Sequence, residues 1–332
     1  MLKEKKHKMG KKIKKVIKNA GIAVAGITTV NILADNVAEK LMTIALDRKI
    51  PNELECIMNK VSGSSDTSEC EEATKKAIER LEKATYQQVE IISFDGLKLK
   101  GYWIKNPSAR RVIIAVHGWR SSWKKDFGLI FDFLRDNDCS VLCIDQRGQG
   151  QSEGNYMGFG MTEKYDCLRW CRWVDEEVEH KLPIYLYGVS MGSASVLMTA
   201  GCVLPEQVKG IIADCGFTSP YAIWKHVTEK NLHLPYGIFE KSVNNICREK
   251  IKLLPAGSST VDAMKKCKVP VLFIHGTEDK FVPIEMTYEN YKACNAPKYL
   301  LTVPGAGHAM SYFIEAERYE NKLKEFWNRY DC

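Results

Sequence analysis

A serine, an aspartate and a histidine, the residue types that together activate a hydroxyl, recur along this chain in ordered motifs. Ser190 sits in Gly188-Val189-Ser190-Met191-Gly192, between an apolar run at 183–187 and the small residues Ser193 and Ala194. That context predicts a buried strand, a tight turn and a helix. Glycines two before and two after the serine leave room for the turn, the hydroxyl projects above the strand ends, and the first N–H groups of the helix face any oxyanion that develops there. By itself the pattern also fits a small-residue turn that only packs a helix close to a strand. A serine hydroxyl is a weak nucleophile at neutral pH and needs a base that is oriented by an acid. Among the seven histidines, His308 lies in Gly305-Ala306-Gly307-His308 after the last strand pattern, an exposed loop suited to proton transfer. Asp279 closes His275-Gly276-Thr277-Glu278-Asp279 at the end of the preceding strand pattern. Asp214, ending Ile211-Ile212-Ala213, and Glu278 compete for its role, with Asp214 the stronger of the two.

The expected oxyanion hole combines the backbone N–H groups of Met191 and Trp119, the latter in His117-Gly118-Trp119-Arg120 behind the apolar run at 112–116. His117 and His275 each precede a glycine at a strand end and read as packing or bracing residues. Arg120 reads as a solvated loop arginine in preference to a contact for an acidic substrate group.

Holding these groups together demands a sheet whose strands end on one side. Runs at 89–94 and 97–104 flank Asp95-Gly96, a strong hairpin signal. Strand patterns at 112–116, 140–144, 184–187, 208–213, 271–274 and 299–303 follow. Helical patterns run to Arg135 and over 162–178, 191–203, 284–294 and 312–330. A hairpin leading into repeated strand–helix units implies an α/β fold, a mostly parallel eight-stranded sheet covered by helices on both faces. Residues 35–86 read as a helical extension, in which Ser68 and Glu71 suggest a capping box.

The length of 332 residues suits one large domain preceded by an appendage. The net charge of +7 is strongly local: residues 1–18 carry nine lysines against Glu4, so everything after them sums to about −1. The body has no positive excess with which to recruit nucleic acid. An uncharged stretch, 20–34, follows the lysines and is shorter than the ~20 residues a membrane-crossing helix needs. It fits a membrane anchor or surface-lying helix, a cleaved signal peptide, or a helix packed on the domain. The expectation is membrane association through residues 1–34 with the rest of the chain cytoplasmic. Most of the twelve cysteines fall inside apolar patterns, as free thiols in a reducing compartment do, which argues against export. The pairs Cys139/Cys143 and Cys167/Cys171 would build a zinc site only if they met. No metal or organic cofactor is expected.

With these motifs in order, the chain resembles the α/β-hydrolase superfamily over about residues 87–332. Within it, the chain is similar to bacterial serine esterases such as cinnamoyl and feruloyl esterases, and to monoacylglycerol-lipase-like and Bem46-like hydrolases. The resemblance rests on His117-Gly118, Asp145-Gln146-Arg147-Gly148-Gln149-Gly150-Gln151-Ser152, the Ser190 motif, residues 275–283 and Gly305-Ala306-Gly307-His308. It implies the α/β-hydrolase fold, the chain order Ser, Asp, His for the triad, a structural role for 145–152, and a short lid between strands 6 and 7 at about 216–268. Phe217, Tyr221, Trp224, Leu234 and Phe239 in that lid become the pocket candidates. The implied activity is hydrolysis of a small-molecule carboxylic ester through an acyl-enzyme on Ser190. An amide hydrolase or an acyltransferase would use the same triad, and a non-catalytic scaffold is the remaining class.

Overall fold

The computed structural model describes residues 34–56 and 67–331. Among these residues eight strands form one sheet: β1 (Gln87–Ile92), β2 (Lys98–Ile104), β3 (Arg111–Val116), β4 (Cys139–Ile144), β5 (Ile184–Val189), β6 (Val208–Asp214), β7 (Val271–Gly276) and β8 (Lys298–Val303). Their spatial order is β1-β2-β4-β3-β5-β6-β7-β8. The β1–β2 and β2–β4 pairs are antiparallel, and every pair from β4–β3 through β7–β8 is parallel. Gly96, at φ 88°, turns the β1–β2 hairpin.

Strands β3, β4, β5 and β7 are buried at every position, as strands covered on both faces must be. The period of two then divides their side chains between two cores. Ile113, Cys143, Tyr187 and Ile274 point to one face with Phe127, Leu134, Leu323 and Trp327. Val112, Leu142, Leu186 and Phe273 point to the other with Trp170, Val196 and Met264. Cys139 and Cys143 belong to the first core and Cys167 and Cys171 to the second, so the two pairs never meet.

Two helical patterns break where the sequence reads as continuous. The stretch up to Arg135 forms two short helices, Trp123–Phe127 and Phe131–Asp136. The last one splits into Ser311–Ile314 and Ala316–Tyr330, with Glu315 between them at φ −134°, ψ 58°. The helix Ser68–Glu82 is capped one residue earlier than its sequence suggests: the Thr67 hydroxyl accepts from the Cys70 N–H. Among the described residues no helix is long and apolar enough to cross a membrane. The anchor expected at 1–34 lies, but for its last residue, outside the described residues.

A third core caps the C-terminal ends of the strands. Phe217, Trp224, Tyr236 and Phe239 from the segment between β6 and β7 pack there against Ala38, Met42 and Leu46 of a helix over residues 34–46. A buried ionic cluster supports the same end of the sheet. Arg147, after β4, donates to both oxygens of Asp166 at 2.6 and 2.7 Å and to both oxygens of Asp95, in the hairpin turn, at 2.9 and 3.1 Å. The Arg147 and Asp166 side chains are 6% and 4% exposed. Removing the cation strands a buried carboxylate, so Arg147→Ala is expected to cost about 3 kcal/mol or more in urea unfolding. A loss under about 1 kcal/mol would contradict this account of the cluster.

Candidate active site

Strand β5 enters the turn at Ser190, which takes φ 55°, ψ −117°, a conformation that few side-chain-bearing residues adopt. Crowding around the turn dictates the neighbouring glycines. A β-carbon at Gly188 would stand 2.3 Å from the Gly192 carbonyl oxygen, and one at Gly192 would stand 2.0 Å from that of Val116. The turn is tied to β6 by the Ser190 N–H, which donates to the Asp214 carbonyl at 2.9 Å. The helix Met191–Thr199 starts immediately behind it.

The structure brings Ser190, His308 and Asp279 together. Nε2 of His308 lies 2.9 Å from the Ser190 hydroxyl, and Nδ1 lies 2.7 Å from Oδ2 of Asp279. The Asp279 side chain is fully buried, yet each of its oxygens is supplied with donors. Oδ1 accepts from the Phe281 and Val282 N–H groups, both at 2.9 Å, and Oδ2 also faces Nε2 of His275 at 3.1 Å. Burial works against this charge, but His308 and the hydrogen bonds from the two histidines outweigh it and hold the carboxyl well below the usual carboxylate range. Burial likewise pushes the His308 imidazole down, and the adjacent Asp279 carboxylate pushes it further up, for a net rise well above an ordinary histidine. Phe281 packs its ring edge-on to that imidazole, 5.0 Å between centroids.

His275 braces rather than reacts. Its Nδ1 meets the Thr287 hydroxyl at 2.7 Å, and its Nε2 is shared between Asp279 and the Val282 carbonyl. Asp214 does not reach His308. Its carboxylate accepts from the Tyr319 hydroxyl at 3.0 Å and, more weakly, from Ser311 at 3.5 Å, and burial pushes its pKa up to about 6. Glu278 is exposed. His117 is buried, bonded to the Gln146 N–H and the Gly118 carbonyl.

The loop after β3 lies against the turn: a β-carbon on Gly118 would stand 3.2 Å from that of Ser190. Asp126, which sequence reading passed over, holds this loop by accepting from the Gly118 N–H at 2.6 Å and from the Ser121 hydroxyl at 2.5 Å. Neither the Trp119 nor the Met191 backbone N–H donates to another described residue. Arg120 is not a solvated loop residue. It is half-buried at φ 50° and donates to the carbonyls of Ile44, Asp47 and Arg48 at the end of the helix over 34–46.

Two cavities meet at Ser190. One is lined almost wholly by apolar side chains, among them Trp119, Met191, Phe217, Trp224, Phe239 and Phe281. The other is more polar and includes Ser121, Lys125, Asp126, Asp214, His308 and Tyr312. Of the five pocket residues expected in the lid, Tyr221 and Leu234 do not line the apolar cavity. Tyr221 stands behind it, edge-on to Tyr236 at 5.3 Å, and Leu234 packs against the capping core. Leu41, Met42, Ile44 and Ala45 take part in the lining instead, from the far N-terminal side of the sequence.

Among the described residues one group offers metal-ligand spacing: Cys215, Asp279 and His308 bring ligand atoms within 4.8 Å of one another. Asp279 and His308 are already engaged with each other, and burial pushes the Cys215 thiol up to about 11, which keeps it protonated at neutral pH. The set suits a hydrogen-bonded dyad better than a cation.

A family model described as serine aminopeptidase S33 matches residues 107–246. The uncharacterised protein YqkD of Bacillus subtilis is 28% identical over 255 residues, spanning 76% of this chain and 81% of that protein. Among solved structures, an esterase of Pyrococcus furiosus superposes with a TM-score of 0.60 at 23% identity, over 75% of this chain and 92% of its own. Est1E of Butyrivibrio proteoclasticus, solved with ferulic acid bound, gives 0.54 at 20% identity, over 74% and 99%.

The crowding at the turn can be tested without an activity assay. Gly192→Ala is expected to destabilise the fold by about 3 kcal/mol or more, because strand β3 backbone cannot yield. Gly237→Ala, where a β-carbon meets nothing within 4 Å, serves as the control and is expected to unfold with the wild type. Equal thermal melts for the two variants would show that the turn is not packed as described.

Proposed function

We propose, for a chain that fits the α/β-hydrolase superfamily in fold, strand order and motif order, that it hydrolyses carboxylic esters with Ser190 as nucleophile. The observation that carries this reading is the unbroken hydrogen-bonded chain from the Ser190 hydroxyl through His308 to a buried, ionised Asp279. Beside it stand two N–H groups without acceptors among the described residues.

Each step follows from these groups. As the Ser190 oxygen attacks the carbonyl carbon, its proton passes to Nε2 of His308, and the resulting imidazolium is stabilised by Asp279 across Nδ1–H. The carbonyl oxygen gains negative charge, and the N–H groups of Trp119 and Met191 are disposed to donate to it. Collapse of the tetrahedral species breaks the ester bond, and His308 returns its proton to the leaving alcohol. A water then attacks the acyl-enzyme, His308 takes its proton, and as the bond to the Ser190 oxygen breaks and the acid leaves, His308 returns that proton to Ser190. Asp279 orients the base and keeps its charge throughout.

The matching family model is described as an aminopeptidase, which keeps amide hydrolysis as the second reading. Binding a peptide's terminal ammonium calls for a free carboxylate beside the nucleophile. Asp126 and Asp214, the acids of the polar cavity, are engaged with Gly118 and Ser121, and with Tyr319. An ester fits this site better. The nine lysines of residues 1–18 would hold the chain to an anionic membrane surface at about 1 kcal/mol for each lysine near it. Replacing them with glutamine is expected to abolish sedimentation with phosphatidylglycerol vesicles at low salt. Undiminished sedimentation would end the membrane reading.

A fluorophosphonate probe is expected to label the wild type and not Ser190→Ala, and equal labelling of both would sink the assignment. Asp279→Asn is expected to lower kcat by about 10⁴, because the base loses its orienting charge. For the pH profile the sign is fixed by His308, which acts only when neutral. Its raised pKa places the acid limb of kcat/KM above the ordinary histidine value of about 6.5, with activity lost as pH falls through it. A limb below pH 6 would contradict the Asp279–His308 coupling.

A further inference from the structure

The helix over residues 34–46 touches the site twice. Through its side chains it closes the apolar cavity: Leu41, Met42, Ile44 and Ala45 face Phe217, Trp224 and Phe239 of the segment between β6 and β7, with Ser190 and Met191 at the floor. Through its last carbonyls it holds the loop after β3. The Trp119 indole N–H donates to the Ala45 carbonyl at 2.9 Å, and the Arg120 guanidinium donates to Ile44 at 2.8 Å and to Arg48 at 3.3 Å. A cation against the carbonyl end of a helix is favoured by the helix dipole as well as by the orphan carbonyls themselves. The helix is pinned from outside too. Lys250 donates to Asp47 at 2.6 Å, the Met157 N–H to the Leu46 carbonyl at 2.7 Å, and the Arg48 guanidinium to the Gly150 carbonyl at 2.7 Å.

We infer that this helix is the acyl-chain wall of the site, that its contacts with Trp119 and Arg120 position the second oxyanion donor, and that the substrates are esters with a hydrocarbon acyl chain. The inference rests on the ester-hydrolase reading and narrows it. The apolar cavity borders Ser190. It presents no charged side chain. Its buried side-chain polar atoms without a partner among the described residues are the Trp224 indole N–H and the Tyr236 hydroxyl, and beside them its lining side chains add only the Ser190 and Thr228 hydroxyls and the Trp119 indole, too few to solvate a carboxylate or an ammonium group. A hydrocarbon chain needs none, and each methylene buried there strengthens transition-state binding by up to about fourfold. The more polar cavity on the other side of Ser190 is left for the alcohol part. Arg120 acts as a positioning residue, through Trp119.

The test uses the full chain with p-nitrophenyl esters from acetate to dodecanoate. For the wild type, kcat/KM is expected to climb from acetate to an optimum at a longer acyl chain. Leu41→Trp, at a half-buried position, should move the optimum at least two carbons shorter, and Met42→Ala at least two carbons longer. Arg120→Gln should lower kcat at least tenfold at every chain length without moving the optimum. An acetate optimum in the wild type, an unmoved optimum in both wall variants, or an Arg120→Gln loss confined to long chains would overturn the inference. A separate readout needs no turnover: Ser190→Ala is expected to bind cis-parinaric acid, with decanoate displacing it and Leu41→Trp weakening it. If fluorophosphonate fails to label Ser190 while this binding holds, the hydrolase reading falls and the wall stands. If labelling succeeds and neither variant shifts chain length or binding, the wall alone falls.

Discussion

Gly192 approaches the Val116 carbonyl so closely that a β-carbon would stand 2.0 Å from it, and this contact between the head of a helix and the end of β3 is what lets Ser190 hold φ 55°. A strained residue of this kind costs of order 1–3 kcal/mol and persists only where its surroundings over-determine it. Here they do so from three sides: β3 beneath Gly192, the Asp214 carbonyl on the Ser190 N–H, and the helix that begins at Met191. The serine hydroxyl, the Met191 N–H of the proposed oxyanion hole and the floor of the apolar cavity all take their positions from that turn.

Charge is placed around the turn by the same logic of over-determination. A fully buried carboxylate survives at Asp279 because two backbone N–H groups and two histidines surround it. Asp214, only one strand away, has hydroxyl partners instead of histidines, and burial raises it to about 6. Two carboxyl groups at neighbouring strand ends are thus pushed in opposite directions, and the one held ionised is the one that touches His308. Arg147 fastens the hairpin turn and the helix Glu163–Glu177 to the same end of the sheet, which keeps the supports of the site rigid.

Cover for the site comes from two distant parts of the chain. The segment between β6 and β7 supplies aromatic rings, and the helix over 34–46 supplies aliphatic side chains together with carbonyls for Trp119 and Arg120. The family model begins at residue 107, beyond that helix. Of the proposed triad Ser190 lies inside the matched region, Asp279 and His308 lie beyond its end at residue 246, and one wall of the pocket lies before its start.

Local pattern carried much of this protein into view. Apolar runs of strand length, the hairpin at Asp95-Gly96, the glycines around Ser190 and the order of the motifs are properties of short windows, and each follows from side-chain period or turn sterics. The sequence by itself therefore determined the α/β fold, the strand succession, and the serine and histidine that meet at the strand ends. Tertiary structure alone decided between Asp214 and Asp279, since both end a strand and only the packing says which oxygen reaches His308. It made His275 a brace, moved Tyr221 and Leu234 behind the lining, and broke the last helix at Glu315. It also turned Arg120 from a solvated loop residue into an anchor for carbonyls more than seventy residues away. Contacts of that kind have no period in the sequence, because they arise only when separate elements compete to bury the same apolar surface and satisfy the same polar groups.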